Sequence, residues 1–206
     1  MTDLLILRHA PTAWNAAGRI QGRIDEPLSD AGRARAAGWR LPDGARSRRW
    51  VASPLRRAWE TAALLGLTPE PEPRLREMHW GAWEGCVRDD LRAAGVLTPA
   101  MEALGLDLRP HGGESPRDVQ DRLRPWLAEL AADGRDTGAV AHNGVIRAVY
   151  ALATGWDLVS RPRHKLRDFH CHRFRIGPGG AVAVVAMNIP LEAPADAGGS
   201  DGRPGA

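Results

Sequence analysis

Leu4-Leu5-Ile6-Leu7 is an uninterrupted apolar run that stops abruptly at Arg8-His9. A run this short, apolar on both faces, suits a strand buried inside a parallel sheet. Two later segments have the same form. Trp50-Val51-Ala52 leads into Ser53-Pro54 and a helical pattern over 55–65, with Ser53 in the N-cap position and Pro54 opening the first turn. Ala139-Val140-Ala141 ends at His142, and Asn143-Gly144 turns the chain into an apolar helix over 145–154. Further helices are predicted over 30–41, behind Ser29, and over 116–132, behind Ser115. Segments 169–176 and 181–186 flank Gly177-Pro178-Gly179-Gly180 and read as late strands forming an antiparallel edge. Strands that alternate with helices predict an α/β three-layer sandwich. Its central sheet is mostly parallel and carries helices on both faces. No internal repeat interrupts the pattern.

The 206 residues, 43% of them hydrophobic, fit one domain with a substantial core. That domain is expected to span 1–191. Residues 192–206 are dominated by Ala, Gly, Pro, Asp and Ser, which cannot bury a core, so a disordered tail is expected there. The formal charge is +3, and Lys165 is the only lysine among 28 basic residues. These cations are spread along the chain rather than clustered, which argues against a nucleic-acid partner and points weakly to an anionic substrate. Cys86 and Cys171 form no CxxC pair and no disulfide framework. The leading apolar run is too short for a signal peptide or a membrane span, so a cytoplasmic protein without a membrane partner is expected. A homodimer is compatible with the chain.

In open α/β sheets, ligands bind beyond the carboxyl ends of the strands. Two strands here end in histidine, His9 and His142, and a third is followed by a helix that opens with Arg56-Arg57. One sheet edge would thus hold two imidazoles and two or three guanidinium groups. The N-terminus of the helix after Pro54 is expected to point there too. Such a place suits a phosphate dianion, whose oxygens match the arginine fork. An Arg-His pair alone is weak evidence in so arginine-rich a chain. Arg163-His164 is a second such pair, set among charges, and reads as solvated surface. The seven histidines show no HxxxH or HExxH spacing. His170 and His172 share a strand face, but two ligands are too few, so neither a metal nor a cofactor is expected.

The motifs carry a family likeness. Leu7-Arg8-His9-Ala10-Pro11-Thr12-Ala13-Trp14-Asn15 resembles the opening motif of the histidine phosphatase superfamily, the phosphoglycerate mutase-like group. Arg19-Ile20-Gln21-Gly22, Asp25-Glu26-Pro27-Leu28-Ser29 and Gly32 continue the likeness. Ser53-Pro54-Leu55-Arg56-Arg57-Ala58-Trp59-Glu60-Thr61-Ala62 is similar to its second motif, and Leu75-Arg76-Glu77-Met78-His79-Trp80-Gly81-Ala82-Trp83-Glu84-Gly85 to its third. Gly112-Gly113-Glu114-Ser115 and Val140-Ala141-His142-Asn143-Gly144-Val145-Ile146-Arg147 complete five motifs in order.

The resemblance implies roles. His9 would be the nucleophile that becomes phosphorylated. Arg8, Arg57 and His142 would hold the phosphoryl group, and Glu77 would act as general acid and base. Asn15, Gln21 and the Gly22 N–H would contact phosphate, with Asn143 near the ligand. Position alone does not separate Glu77 from Glu84; the motif selects Glu77. It also selects Arg57 over Arg56, which reads as surface. The chain departs from the family at Ala10 and Asn143, where glycine is usual. Ala10 is expected to set a methyl close to the phosphate, and Asn143 to face the ligand or cap the next helix. Trp14, Trp80 or Trp83 is expected to wall the pocket. The implied activity is a metal-independent phosphomonoesterase acting on a small phosphorylated metabolite. The rivals are a cofactor-dependent phosphoglycerate mutase and a non-catalytic phospholigand-binding domain. The insert between Gly85 and His111, with a short helix expected over 88–94, is small for a mutase lid.

Overall fold

A computed structural model describes residues 1–191. Six strands form one sheet: β1 (Thr2–Arg8), β2 (Arg49–Ala52), β3 (Glu70–Pro71), β4 (Thr137–Ala141), β5 (His170–Ile176) and β6 (Val182–Pro190). Their spatial order is β3-β2-β4-β1-β5-β6. The first four strands run parallel, and β5 and β6 are antiparallel to their neighbours. The helices are α1 (Ala13–Ala16), α2 (Asp30–Ala37), α3 (Arg56–Leu64), α4 (Arg88–Ala93), α5 (Pro99–Glu102), α6 (Pro116–Asp133) and α7 (Asn143–Thr154).

The apolar opening run is buried on both faces because side chains alternate along a strand. Leu4 and Ile6 join a core with Val119, Leu123 and Leu127 of α6 and Val145 and Val149 of α7. Leu5 and Leu7 join a second core with Ala36 of α2 and Ala58 and Ala62 of α3. These are the three layers expected from the sequence. Each fully buried Leu or Ile contributes about 1.5–3 kcal/mol, which makes β1 the spine of the fold.

Several boundaries differ from expectation for local reasons. The helix expected over 30–41 ends at Ala37, where Gly38 lowers helix propensity and Trp39 N–H donates to Ala36 in a tightened last turn. Pro42 then disfavours a helical Leu41. The helix after β2 begins at Arg56 with Leu55 as its N-cap, so Ser53 does not cap it. The helix after β4 begins at Asn143 with His142 as its N-cap. The last strand continues past 186 to Pro190. The 88–94 segment does form a short helix, α4, and Ser115 caps α6 through a capping box with Asp118. The tail expected over 192–206 lies outside the described residues. Among the described residues, no helix is long and apolar enough to cross a membrane.

Candidate active site

The central strands β2, β4 and β1 lie side by side, and each ends in a residue of the site. His9 N–H donates to the Ala141 carbonyl at 2.9 Å and Ser53 N–H to the Val140 carbonyl at 3.0 Å, so His9, His142 and Ser53 line up along the carboxyl edge. The rings of His9 and His142 are 5.2 Å apart.

His9 is buried. Its Nδ1 lies 2.7 Å from the Ala10 carbonyl. A carbonyl only accepts, so Nδ1 carries the proton and Nε2 keeps its lone pair. Burial pushes His9 well below the usual histidine range, and the neighbouring Arg8 and Arg57 guanidinium groups push it the same way. The ring is therefore neutral. Its anchor is itself anchored: Ala10 N–H donates to Thr61 Oγ1 at 2.9 Å, and within α3 Thr61 Oγ1 donates to the Arg57 carbonyl at 2.7 Å.

His142 is fully buried and held well below the usual range, by desolvation first and then by Arg57. Arg57 Nε donates to its Nδ1 at 3.3 Å, which leaves the proton on Nε2, 2.7 Å from Ser53 Oγ. Arg57 is also fully buried, and its other N–H groups donate to the carbonyls of Ile24 at 2.9 Å and Gly22 at 2.7 Å. Gly22 thus meets Arg57 through its carbonyl. Its left-handed φ of +59° and the Glu84 carboxylate, 2.1 Å from where a Cβ would stand, both require glycine.

The two carboxylates that position could not separate take different places. Glu77 accepts from Met78 N–H at 2.8 Å and from Gly144 N–H at 3.1 Å, so it rests on the N-terminus of α7 and lines the main pocket. That N-terminus, with its positive dipole end, faces the site. The first N–H of α3 does not, because Arg56 N–H donates to Asp25 at 2.6 Å. Glu84 instead accepts from the N–H groups of Trp80, Arg23 and Ile24 and ties down the Gln21–Gly22 loop. Arg56 is exposed and pairs with Glu60.

The main pocket, about 480 Å³, is lined by Arg8, Asn15, Gln21, Glu77, Trp80 and Asn143, among others. A smaller one of about 240 Å³ is lined by Arg8, His9, Asn15 and Asp168. Asn15 also closes a capping box on Thr12. The Gln21 amide oxygen and Arg8 Nε are buried without a hydrogen-bond partner among the described residues. Asn143, at the first position of α7, lines the pocket while His142 occupies the cap. Trp80 lines the pocket, whereas Trp83 is buried beneath it in a stack with Trp80. Ala10 is fully buried and joins the apolar core shared by α2 and α3.

All nine residues singled out from sequence therefore meet in one neighbourhood, connected through His9, His142, Arg57 and Gly22. Three partners went unread. Ser53 shared the strand-end position of the two histidines, and that signal was available. Thr61 lay inside the second motif without a role of its own. Asp168, which pairs with Arg8 at 2.6 Å, comes from an irregular segment with no pattern to find it. Among the described residues, no group of three or more His, Cys, Asp or Glu is arranged to hold a metal ion.

Comparison with known proteins agrees with this geometry. The model of the histidine phosphatase superfamily, branch 1, matches residues 4–189. A glucosyl-3-phosphoglycerate phosphatase of Mycobacterium tuberculosis is 37% identical, over 90% of this chain and 97% of its own length. A metal-independent phosphoserine phosphatase of Arabidopsis thaliana is 33% identical, over 75% of this chain and 69% of its own. The mycobacterial glucosyl-3-phosphoglycerate phosphatase solved with inorganic phosphate superposes with a TM-score of 0.77 at 29% identity, covering 94% of this chain and all of that one.

Proposed function

The chain belongs to the histidine phosphatase superfamily, branch 1, and on that premise we propose that it is a phosphomonoesterase that hydrolyses a small phosphorylated metabolite through a phosphohistidine on His9. One observation carries the reading: a buried, neutral His9 whose Nδ1–H is fixed on the Ala10 carbonyl, so that Nε2 alone is available to attack phosphorus.

The chemistry follows in two steps. His9 Nε2 forms a bond to phosphorus as the bond to the leaving oxygen breaks. Glu77 gives that oxygen its proton. Arg8 and Arg57 stabilise the charge on the transferring oxygens, in the role that a metal ion plays elsewhere. Arg57 also fixes His142, which Ser53 holds from the other side. Water then attacks the phosphohistidine and loses a proton to Glu77. Phosphate leaves, and His9 and Glu77 return to their starting states. Asn15, Gln21 and Asn143 contact the phosphoryl group or its ester oxygen from the pocket wall.

The proposal includes a catalytic unit within 1–191, a cytoplasmic location, no metal and no cofactor, with homodimerisation compatible. It is tested by phosphate release from p-nitrophenyl phosphate and from a panel of phosphomonoesters that includes 3-phosphoglycerate. The assay is run with exhaustive chelation, and with and without 2,3-bisphosphoglycerate. Chelator-resistant, bisphosphate-independent release supports a phosphatase. Bisphosphate-dependent formation of 2-phosphoglycerate with little free phosphate would make the chain a mutase, and absence of any turnover would leave a binding domain.

A further inference from the structure

Arg8 lines both the main pocket and the smaller one. Its Nη1 donates to the Asp168 carboxylate at 2.6 Å, while its Nε is buried without a hydrogen-bond partner among the described residues. A guanidinium is a rigid planar fork. With Nη1 held from the side of the smaller pocket, the edge that carries Nε is left for phosphoryl oxygens. Asp168 lines the smaller pocket and not the main one, so its carboxylate reaches the reaction through Arg8.

The fold fixes Asp168 in this place. Strands β1 and β5 run antiparallel with Leu7 opposite Cys171, so the chain entering β5 passes beside the end of β1 that carries Arg8 and His9. His170 Nδ1–H donates to the Asp168 carbonyl at 2.7 Å. Phe169, next in the chain, has a left-handed φ of +62° although it is not glycine. That conformation is unfavourable for an L-residue and persists only where the surroundings impose it. Here the Phe169 ring packs against Trp39 with centroids 6.2 Å apart, and the Arg35 guanidinium lies 3.5 Å over the same ring. The Phe169 carbonyl accepts from Leu191 N–H at 3.0 Å. This strained, well-anchored turn sets the direction in which the Asp168 side chain leaves the backbone. Fold stability does not explain the pair. Its side chains are 28% and 60% exposed, and water screens an ion pair so placed.

We propose that Asp168 is a positioning residue for phosphoryl transfer: it holds Arg8 by Nη1 so that the rest of the guanidinium faces the transferring oxygens. This rests on the phosphatase reading above and extends it. A donor already in place when charge develops needs no reorganisation at the moment of reaction. The benefit therefore falls on turnover and on transition-state mimics more than on phosphate at rest. Both half-reactions use Arg8, so the effect shows whichever step limits the rate.

The test is kinetic, with p-nitrophenyl phosphate as substrate. Asp168→Asn should lower kcat roughly tenfold, the scale of a small misplacement at a reacting centre. KM should change by less than about threefold, because ground-state binding is not what the pair serves. Vanadate, a transition-state mimic, should inhibit roughly tenfold more weakly, and inorganic phosphate about as well as before. Asp168→Glu should recover part of kcat, and melting temperatures should barely move. In an Arg8→Gln background, Asp168→Asn should add less than about a twofold loss, since the group it acts through is gone. An unchanged kcat in folded Asp168→Asn overturns the assignment, and so does an undiminished loss in the Arg8→Gln background. Equal weakening of vanadate and phosphate overturns it too, as does a fall in melting temperature that accompanies the loss of activity without rescue by Asp168→Glu. Absence of any hydrolysis by the wild-type chain would instead defeat the phosphatase reading beneath it.

Discussion

Replacing Gly144 with alanine should displace the general acid without weakening the fold. A Cβ at this position would stand 2.3 Å from Glu77 Oε1, where ordinary contact begins at 3.4 Å. The carboxylate must therefore retreat by about 1 Å, a misplacement that costs on the order of 100-fold in rate. Gly144 is the second residue of α7, and alanine there improves helix propensity by up to about 1 kcal/mol, which offsets strain in the Gly144 N–H to Glu77 bond. The melting temperature should accordingly move little while kcat falls. The loss should depend on the leaving group. An alkyl phosphate needs its departing oxygen protonated and should lose the full factor, whereas p-nitrophenyl phosphate leaves as a stabilised phenolate and should lose far less. Steady-state kinetics on both substrates, with thermal melts of the same preparations, decide the matter. An equal loss on both substrates, or no loss on the alkyl ester, would refute the assignment of Glu77 as proton donor.

Acid should destabilise the fold earlier than carboxylate titration alone would. His9, His142 and His172 are buried neutral, with pKa values held below the ordinary 6.5, in His172 down to about 4. Above pH 6.5 both folded and unfolded chains leave these rings uncharged. Below it the unfolded chain takes up protons that the folded chain refuses, so stability falls by up to about 1.4 kcal/mol per pH unit for each ring. Urea midpoints between pH 7 and pH 5 should drop steeply, and a flat profile would contradict the neutral, buried assignment. Ser53→Ala leaves the His142 Nε2–H without its partner inside the protein. It should cost about 1–3 kcal/mol of stability in denaturant melts and lower kcat, and a neutral outcome in both would remove Ser53 from the site.

How much of this was legible in the sequence depended on whether the deciding contact was local. The Leu4–Leu7 run announced a strand buried on both faces, and its abrupt end placed His9 at the sheet edge. Ser115 and Asp118 announced the start of α6 because capping is a local matter. The first turn of α3 was misread because Ser53 and Pro54 satisfy the rule for a helix start. In the folded chain Ser53 bonds a histidine 89 residues away, and Arg56 N–H has already found Asp25. Glu77 and Glu84 are alike in type and spacing. What separates them is which distant backbone N–H groups they meet, that of Gly144 in α7 for one and those of Arg23 and Ile24 for the other. The Arg8–Asp168 pair spans 160 residues and left no trace in any local pattern.

The most direct test of the account is to catch the phosphoryl group on the enzyme. Rapid mixing with a phosphorus-labelled substrate, a quench within the first turnover, and peptide mapping of the label should place it on His9. The label should be acid-labile and base-stable, and no more than one phosphoryl group per chain should be bound. It should be absent from His9→Ala and should decay to inorganic phosphate when substrate is removed. Label that survives in His9→Ala, or turnover at the wild-type rate with no phosphoenzyme detected on His9, would contradict the central claim.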